Sequence, residues 1–303
     1  MTQHATTQRT QSSFFPTCWL LVTMVGLLLF AQPHFALAAK PQRVISLNLC
    51  TDQLLMQLAN RETIAGLTPL ASDGELSYHA NYAVELPQHS GSAEEIIRLN
   101  PDLILAGSMS ARSTVTVLKR FGYPVVEIDI PTSIIEMQAN VRRVARSLGE
   151  IARGETMLQT MDTRLAEITR DIAPSWQPLA AVYYANGFSA GDDSVIGEIL
   201  TLAGYRNVSS LIGHKSFGRL ELEALLFAKP DLIIFGNYTE HRYSMAQEIL
   251  QHPAFRRIVD RKINDYHPVT TIVPDNVWMC ATPTIVKAVE ILVNNRRKLT
   301  RAQ

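Results

Sequence analysis

Gly187-Phe188-Ser189-Ala190-Gly191 is the run in this chain that most resembles reaction machinery. Its Gly-x-Ser-x-Gly spacing is that of a nucleophile elbow, where a serine on a sharp strand-to-helix turn presents its hydroxyl to an acyl carbon. Such a serine must lead straight into a helix whose amides reach the developing oxyanion. Here Asp192-Asp193-Ser194 intervene, and Ser194 is the better helix N-cap. Asp231 and His267 follow in triad order, but Asp231 is equally explained as the start of a strand. A serine esterase using Ser189 is therefore kept only as the enzyme alternative, and the main expectation is that the chain is not an enzyme. No dinucleotide fingerprint, Walker loop or H-E-x-x-H pattern occurs. His79, His89, His214, His241, His252 and His267 are scattered, whereas a zinc site needs three or four converging ligands. No metal site, cofactor or catalytic residue is expected. Tyr78, Tyr82, Tyr238, Tyr243 and Trp278 fall in loops, which suits a wide cleft for a bulky, partly apolar molecule. His89, beside Ser90-Gly91, joins them as a candidate contact.

The elements that must position these residues alternate between strand and helix. Arg43–Leu47, Thr63–Leu67, Pro124–Ile128 and Leu179–Tyr184 read as short buried strands by length and β-branched content. Thr51-Asp52 opens a helical pattern carrying Leu54, Leu55 and Leu58. One segment occurs twice. Glu94-Glu95-Ile96-Ile97-Arg98-Leu99-Asn100-Pro101-Asp102-Leu103-Ile104-Leu105-Ala106-Gly107 matches, position for position, Glu223-Ala224-Leu225-Leu226-Phe227-Ala228-Lys229-Pro230-Asp231-Leu232-Ile233-Ile234-Phe235-Gly236. In each copy a short helix stops before Pro and a buried strand runs on to Gly. A helical tract from Ser133 to Asp171, broken near Gly149, separates the copies, and a last amphipathic helix spans Pro283–Leu299. The expected fold class is α/β: two lobes with mainly parallel sheets, joined by a single long α-helix, with a ligand cleft between them. Residues 40–148 form the first lobe, 149–173 the connecting helix and 174–303 the second lobe, the whole of 40–303 being one binding module.

Residues 1–39 read as a targeting segment: Arg9, an apolar stretch from Trp19 to Ala31, then Ala36-Leu37-Ala38 as a small-residue cleavage site. Cleavage there places the mature chain in the periplasm and removes Cys18. Cys50 and Cys280 remain, an even count for an oxidising compartment. With 28 Lys+Arg against 28 Asp+Glu the chain lacks the basic stripe that nucleic acid requires, and 303 residues suffice for two modest cores.

Arg43-Val44-Ile45-Ser46-Leu47 followed by Cys50-Thr51-Asp52, the Gly91-to-Gly107 block and its echo at Glu223 resemble the periplasmic iron-siderophore/cobalamin-binding proteins over essentially the whole mature chain. That resemblance implies two lobes bridged by one rigid helix with little hinge motion. It also implies that Glu94 and Glu223, one per lobe, dock onto arginines of the permease dimer of an ABC importer. Each Glu also favours a helix N-terminus. The ligand cleft is expected just beyond the strands, at Asn48 and Cys50, Ser108, Ser110 and Arg112, Asn186 to Ser189 with Phe188, and Asn237-Tyr238. The family adds the loop near His89 and Pro274-Asp275-Asn276-Val277-Trp278. Leu47-Asn48-Leu49-Cys50-Thr51-Asp52 departs from the Ser-Pro or Ser-Thr type common after this strand. In the family layout Cys50 and Cys280 lie near the cleft, as a disulfide across it, as two thiols facing the ligand, or as unrelated buried thiols.

The function expected is capture of a bulky metal chelate, a cobalamin or other corrinoid ahead of a ferric siderophore, by a monomer that hands it to the importer. Haem is a further alternative, with His89 or Tyr78 as axial ligand; a structural envelope protein would bind no small molecule.

Overall fold

The computed structural model describes residues 39–173, 175–236, 253 and 266–302. Ala36-Leu37-Ala38, Cys18, Asn237, Tyr238, Tyr243, His241 and His252 lie outside the described residues. From Lys40 the chain forms one compact unit.

Its first half runs β1 (Val44–Ser46), α1 (Leu49–Leu58), β2 (Ile64–Gly66), α2 (Ala80–Ala83), α3 (Ala93–Leu99), β3 (Leu103–Gly107), α4 (Arg112–Arg120) and β4 (Val125–Ile128). Two helices follow, α5 (Ile134–Ser147) and α6 (Ile151–Thr169), and the chain turns between them at Gly149, whose φ is +69°. The second half runs β5 (Leu179–Val182), β6 (Phe188–Ala190), α7 (Val195–Leu202), β7 (Arg206–Asn207), α8 (Val208–Leu211), β8 (Phe217–Arg219), α9 (Leu222–Ala228), β9 (Leu232–Phe235), β10 (Val269–Ile272), α10 (Asp275–Trp278) and α11 (Ile285–Ala302). The expected helix opening at Thr51-Asp52 is two residues late. Asn48 is the N-cap, its Oδ1 accepting from Thr51 N at 2.9 Å.

The two main sheets share one topology. The first is ordered β2-β1-β3-β4 and the second β7-β5-β9-β10, every pairing parallel. Position for position, β1 corresponds to β5 and β3 to β9. The repeated segment supplies the helix-to-strand unit that enters the second strand of each pair, and its Pro-Asp has a specific task. Asp102 accepts from Gln42 N at 2.6 Å and Arg43 N at 2.9 Å, just ahead of β1. Asp231 accepts from Leu179 N at 2.7 Å, the first residue of β5. Each carboxylate thus holds the entering end of the neighbouring strand in register. Both helices ahead of it end in the left-handed region, at Asn100 (φ 47°) and Lys229 (φ 47°). Asn tolerates that conformation; Lys has no local compensation for it.

Parallel strands covered on both faces show strict alternation of burial partners. Val44, Leu103 and Leu105 enter one large core, while Ile45, Ile104 and Ala106 face outward against α3 and α4. In the second sheet Ala180, Val182, Leu232 and Ile234 join that same core, and Ala181, Tyr183 and Ile233 face outward against α8 and α9. Between the two inner faces lie Met137, Val141 and Val144 of α5, Leu158, Met161 and Leu165 of α6, and Ala288, Val289 and Leu292 of α11. Each such side chain contributes roughly 2 kcal/mol on burial, against roughly 0–1 for an exposed ion pair such as Arg142–Glu155. Apolar packing therefore fixes the helical spine.

A carboxyl is sealed inside. Asp52 on α1 is fully buried, accepting from Thr68 Oγ1 at 2.5 Å and Thr68 N at 3.2 Å. Burial outweighs those hydrogen bonds and pushes its carboxyl pKa up to about 7. A carboxyl raised in the folded state contributes stability that is complete below its unfolded value near 4 and lost as pH rises through about 7. Urea unfolding should therefore show the wild type losing stability between about pH 4 and about pH 7, by up to roughly 4 kcal/mol. Asp52→Asn should flatten that slope; an unchanged slope would refute the assignment. Lys229→Gly should raise stability by about 1 kcal/mol, and a fall would show that Lys229 is not strained.

Candidate functional site

Loops that leave the carboxyl ends of parallel strands converge at one end of each sheet. Here they enclose a pocket of about 220 Å³ lined from both halves of the chain. The first half supplies Asn48 and Cys50 after β1, Gly107 to Ser110 after β3, Ile128 to Pro131 after β4, and Asn140 of α5. The second half supplies Ile196 of α7, Phe217 of β8, and Trp278 to Ala281 after α10. The rim is unusually apolar for a surface: Met109 is 69% exposed, Ile130 65%, Phe217 49% and Met279 46%. Among the described lining residues Asp129 is the one ionisable side chain; the other polar groups are the neutral amides of Asn48 and Asn140 and the hydroxyls of Thr51, Ser108 and Ser110. Asn48 Nδ2 donates to Ser110 Oγ at 3.1 Å, so the loops after β1 and β3 are tied together. Gly107 is required beneath them, because a Cβ there would meet Asn48 Nδ2 at 2.9 Å and Ser110 Oγ at 3.1 Å.

Of the residues expected in the cleft, Asn48, Cys50, Ser108, Ser110 and Trp278 line this pocket. Cys50 and Cys280 are joined as a disulfide, their Cα atoms 4.9 Å apart across 230 residues of sequence. This resolves the three options left open for the two cysteines, and closing so long a loop stabilises the fold by roughly 5 kcal/mol in the chain-entropy account. Trp278 is almost fully buried as the pocket's floor, with the Tyr184 ring 6.2 Å from its own.

The structure places the other expected contacts away from this pocket. His89 is buried on the first sheet, Nε2 at 2.8 Å from Ser46 O, with burial holding its pKa down; it cannot reach the pocket. Tyr78 lines a separate hollow beside α6 and α11, edge-on to His79. Arg112 turns back onto its own loop, Nη1 donating to Ser108 O at 3.2 Å. Phe188 is not a lining residue but stacks on Phe217, which is, at 5.4 Å and 15°. Asp275 faces inward: it bonds the Tyr184 hydroxyl, whose pKa burial and this carboxylate push well up. Glu94 and Glu223 are exposed at matching first-turn positions of α3 and α9.

The elbow serine fails on geometry. Ser189 is fully buried in β6, which pairs antiparallel with β8 rather than turning into a helix. Its Oγ donates to Val182 O at 2.6 Å and lies 2.5 Å from Ser209 Oγ. The flanking glycines answer to packing instead: Gly187 has φ +71° against the Leu220 carbonyl, and Gly191 lies hard against the backbone of His214 and Lys215. Ser194 does cap the next helix, its Oγ accepting from Gly197 N at 3.0 Å. Among the described residues no three His, Cys, Asp or Glu side chains converge as a metal site.

Sequence reasoning passed over Ile128 to Pro131, Asn140, Phe217 and Met279, whereas Met109 falls within the expected stretch Ser108 to Arg112. The β4 loop follows the same strand-end rule as the others and was available to it. Phe217 was not, because β8 is a three-residue strand, too short to show a pattern, and its pairing with β6 is tertiary.

A protein of Halobacterium salinarum named cobalamin-binding protein is 25% identical over 203 residues, 66% of this chain and 55% of that one. The chain thus spans about half the length of the curated relatives it matches. Among solved structures, a periplasmic heme-binding protein of Roseiflexus sp. RS-1 in apo form superposes with a TM-score of 0.66 at 21% identity, covering 85% of this chain and 98% of that one. The periplasmic vitamin B12 binding protein of Vibrio cholerae gives 0.61 at 16% identity, over 86% and 99%. A protein of an ABC-type Fe3+-hydroxamate transport system from Saccharomonospora viridis gives 0.62 at 18%, over 85% and 94%. These likenesses carry the fold. A family model described as periplasmic binding protein matches residues 44–259, through both copies of the duplicated unit, and on that match the chain belongs to the periplasmic binding protein family.

Proposed function

We propose that this protein is an extracytoplasmic receptor that captures a bulky metal chelate and delivers it to an ABC importer of the inner membrane, without chemical conversion. The observation that carries this reading is the pocket itself: it is lined from both lobes, rimmed by exposed Met109, Ile130, Phe217 and Met279, and furnished with neutral hydrogen-bonding groups. Exposed apolar side chains of that size around a concavity favour a large ligand with apolar edges. Asp129 is the one charge among its described lining residues, and no Arg or Lys is among them. A corrinoid, rich in neutral amides, suits that lining better than a carboxylate- or catecholate-type ferric chelate, whose negative charge would call for Arg or Lys. The relative named for cobalamin binding supports the same choice. Haem is the second reading, favoured by the likeness to heme-binding structures; it would need an axial ligand other than His89 or Tyr78, neither of which lines the pocket.

Delivery supports a role for the duplicated helices. Glu94 and Glu223 sit at equivalent, solvent-facing places on the two lobes, so a pseudo-symmetric acidic pair could meet a symmetric permease dimer. The targeting segment at residues 1–39 fits export before that encounter.

Titration of the mature chain with cyanocobalamin, a ferric hydroxamate and haemin, followed by tryptophan quenching, should show saturable binding to one of them. Phe217→Ala should weaken it by about tenfold, through lost contact of roughly 1.5 kcal/mol. No response to any of the three would refute the ligand class. Charge reversal at both Glu94 and Glu223 should abolish uptake in cells while leaving ligand affinity unchanged, and normal uptake by that double variant would remove the docking role.

A further inference from the structure

The disulfide does more than close a long loop, because of where it lies. Cys50 is in the first turn of α1, directly after the first sheet's central strand, and Cys280 follows α10 at the end of the second sheet. Both line the pocket, and both are partly exposed. The bridge is therefore one covalent tie between the pocket's two walls, and it is reachable from the pocket. Two other ties between those walls are hydrogen bonds. Ile134 N, at the start of α5, donates to Glu198 of α7 at 2.6 Å, and Asn276 Nδ2 of α10 donates to Gly74 O at 2.9 Å. Hydrogen bonds of this kind exchange with water on separation; a disulfide does not.

We propose that the Cys50–Cys280 disulfide is a redox latch within the ligand pocket, resting on the assignment of that pocket as the ligand site. In the oxidised form it fixes the spacing of the two walls, and a bound ligand covers it. Reduction is a two-electron step carried out by a dithiol. One thiolate of the dithiol attacks a latch sulfur, forming a mixed disulfide and releasing the other latch sulfur as a thiolate. The second thiol of the dithiol then displaces the remaining cysteine, so the dithiol leaves as a disulfide and Cys50 and Cys280 each take up a proton. The walls then keep the apolar spine behind them and the hydrogen bonds at their front, and the pocket is less tightly preorganised. Because coupling between two sites is reciprocal, a ligand that prefers the oxidised form must also protect the disulfide.

The test uses the mature chain purified oxidised, with dithiothreitol as the dithiol. Cyanocobalamin, ferrioxamine B and haemin are titrated before and after reduction, free thiols are counted over time with and without each probe, and hydrogen exchange is followed at Ser108–Ser110 and Ile128–Pro131. Reduction should weaken binding by about tenfold, saturating ligand should shift the dithiol–disulfide equilibrium toward the oxidised form by a similar factor, and exchange at both loops should rise and return on reoxidation. Equal affinity in the two redox states, with unchanged exchange, overturns the latch. Should the oxidised protein bind none of the three probes, the ligand reading fails on its own, and exchange still decides whether the bridge restrains the walls. A reduced protein that loses its helical circular dichroism also overturns the latch, since the bridge would then hold the fold rather than the pocket.

Discussion

The pocket exists because two parallel sheets share one apolar core. A parallel sheet sends every strand-to-helix loop out at the same end, so each lobe alone would present a row of loops and no cavity. The inner faces of both sheets, the α5–α6 pair and α11 belong to a single buried cluster, and this sets the two rows of loops against each other. Close packing of that kind does not deform gradually. The separation of the pocket's walls is therefore a property of the spine behind them, reinforced at the front by the disulfide and the Glu198 and Asn276 hydrogen bonds.

Duplication explains why so much of this was legible in the chain. The paired segments at Glu94 and Glu223 carry their own structural instructions: a helix stop before Pro, an Asp that catches the neighbouring strand, and an alternating apolar strand. Those instructions are local in sequence, and local signals survive reading without a structure. The long helical tract with its break at Gly149 was visible for the same reason. The strand-end rule reached Cys50, Ser108 and Ser110, which stand where loops follow strands, though the β4 loop obeys it equally.

The failures share a different cause. Gly187 to Gly191 looked like an elbow because glycine spacing records close approach without saying what approaches, and here it is the backbone on either side of the strand at Phe217–Arg219. His89 looked available because a histidine in a loop-rich stretch gives no sign of burial; its place against Ser46 depends on a pairing 43 residues away. Asp275 similarly lay in the right segment but faced the wrong way, toward Tyr184. Side-chain direction in irregular segments is set by tertiary packing, which no short-range pattern encodes.

The disulfide also has a consequence in time. Cys50 is made early and its partner 230 residues later. At typical synthesis rates the first thiol waits roughly ten to fifty seconds for the second. During that interval the first sheet can form, since β1 to β4 are complete by Ile128, but its pocket edge carries an unpartnered thiol. The bond can close only after Cys280 has arrived and α10 has been placed beside α1. Its formation therefore reports, within a single chain, that both halves have been built and set face to face.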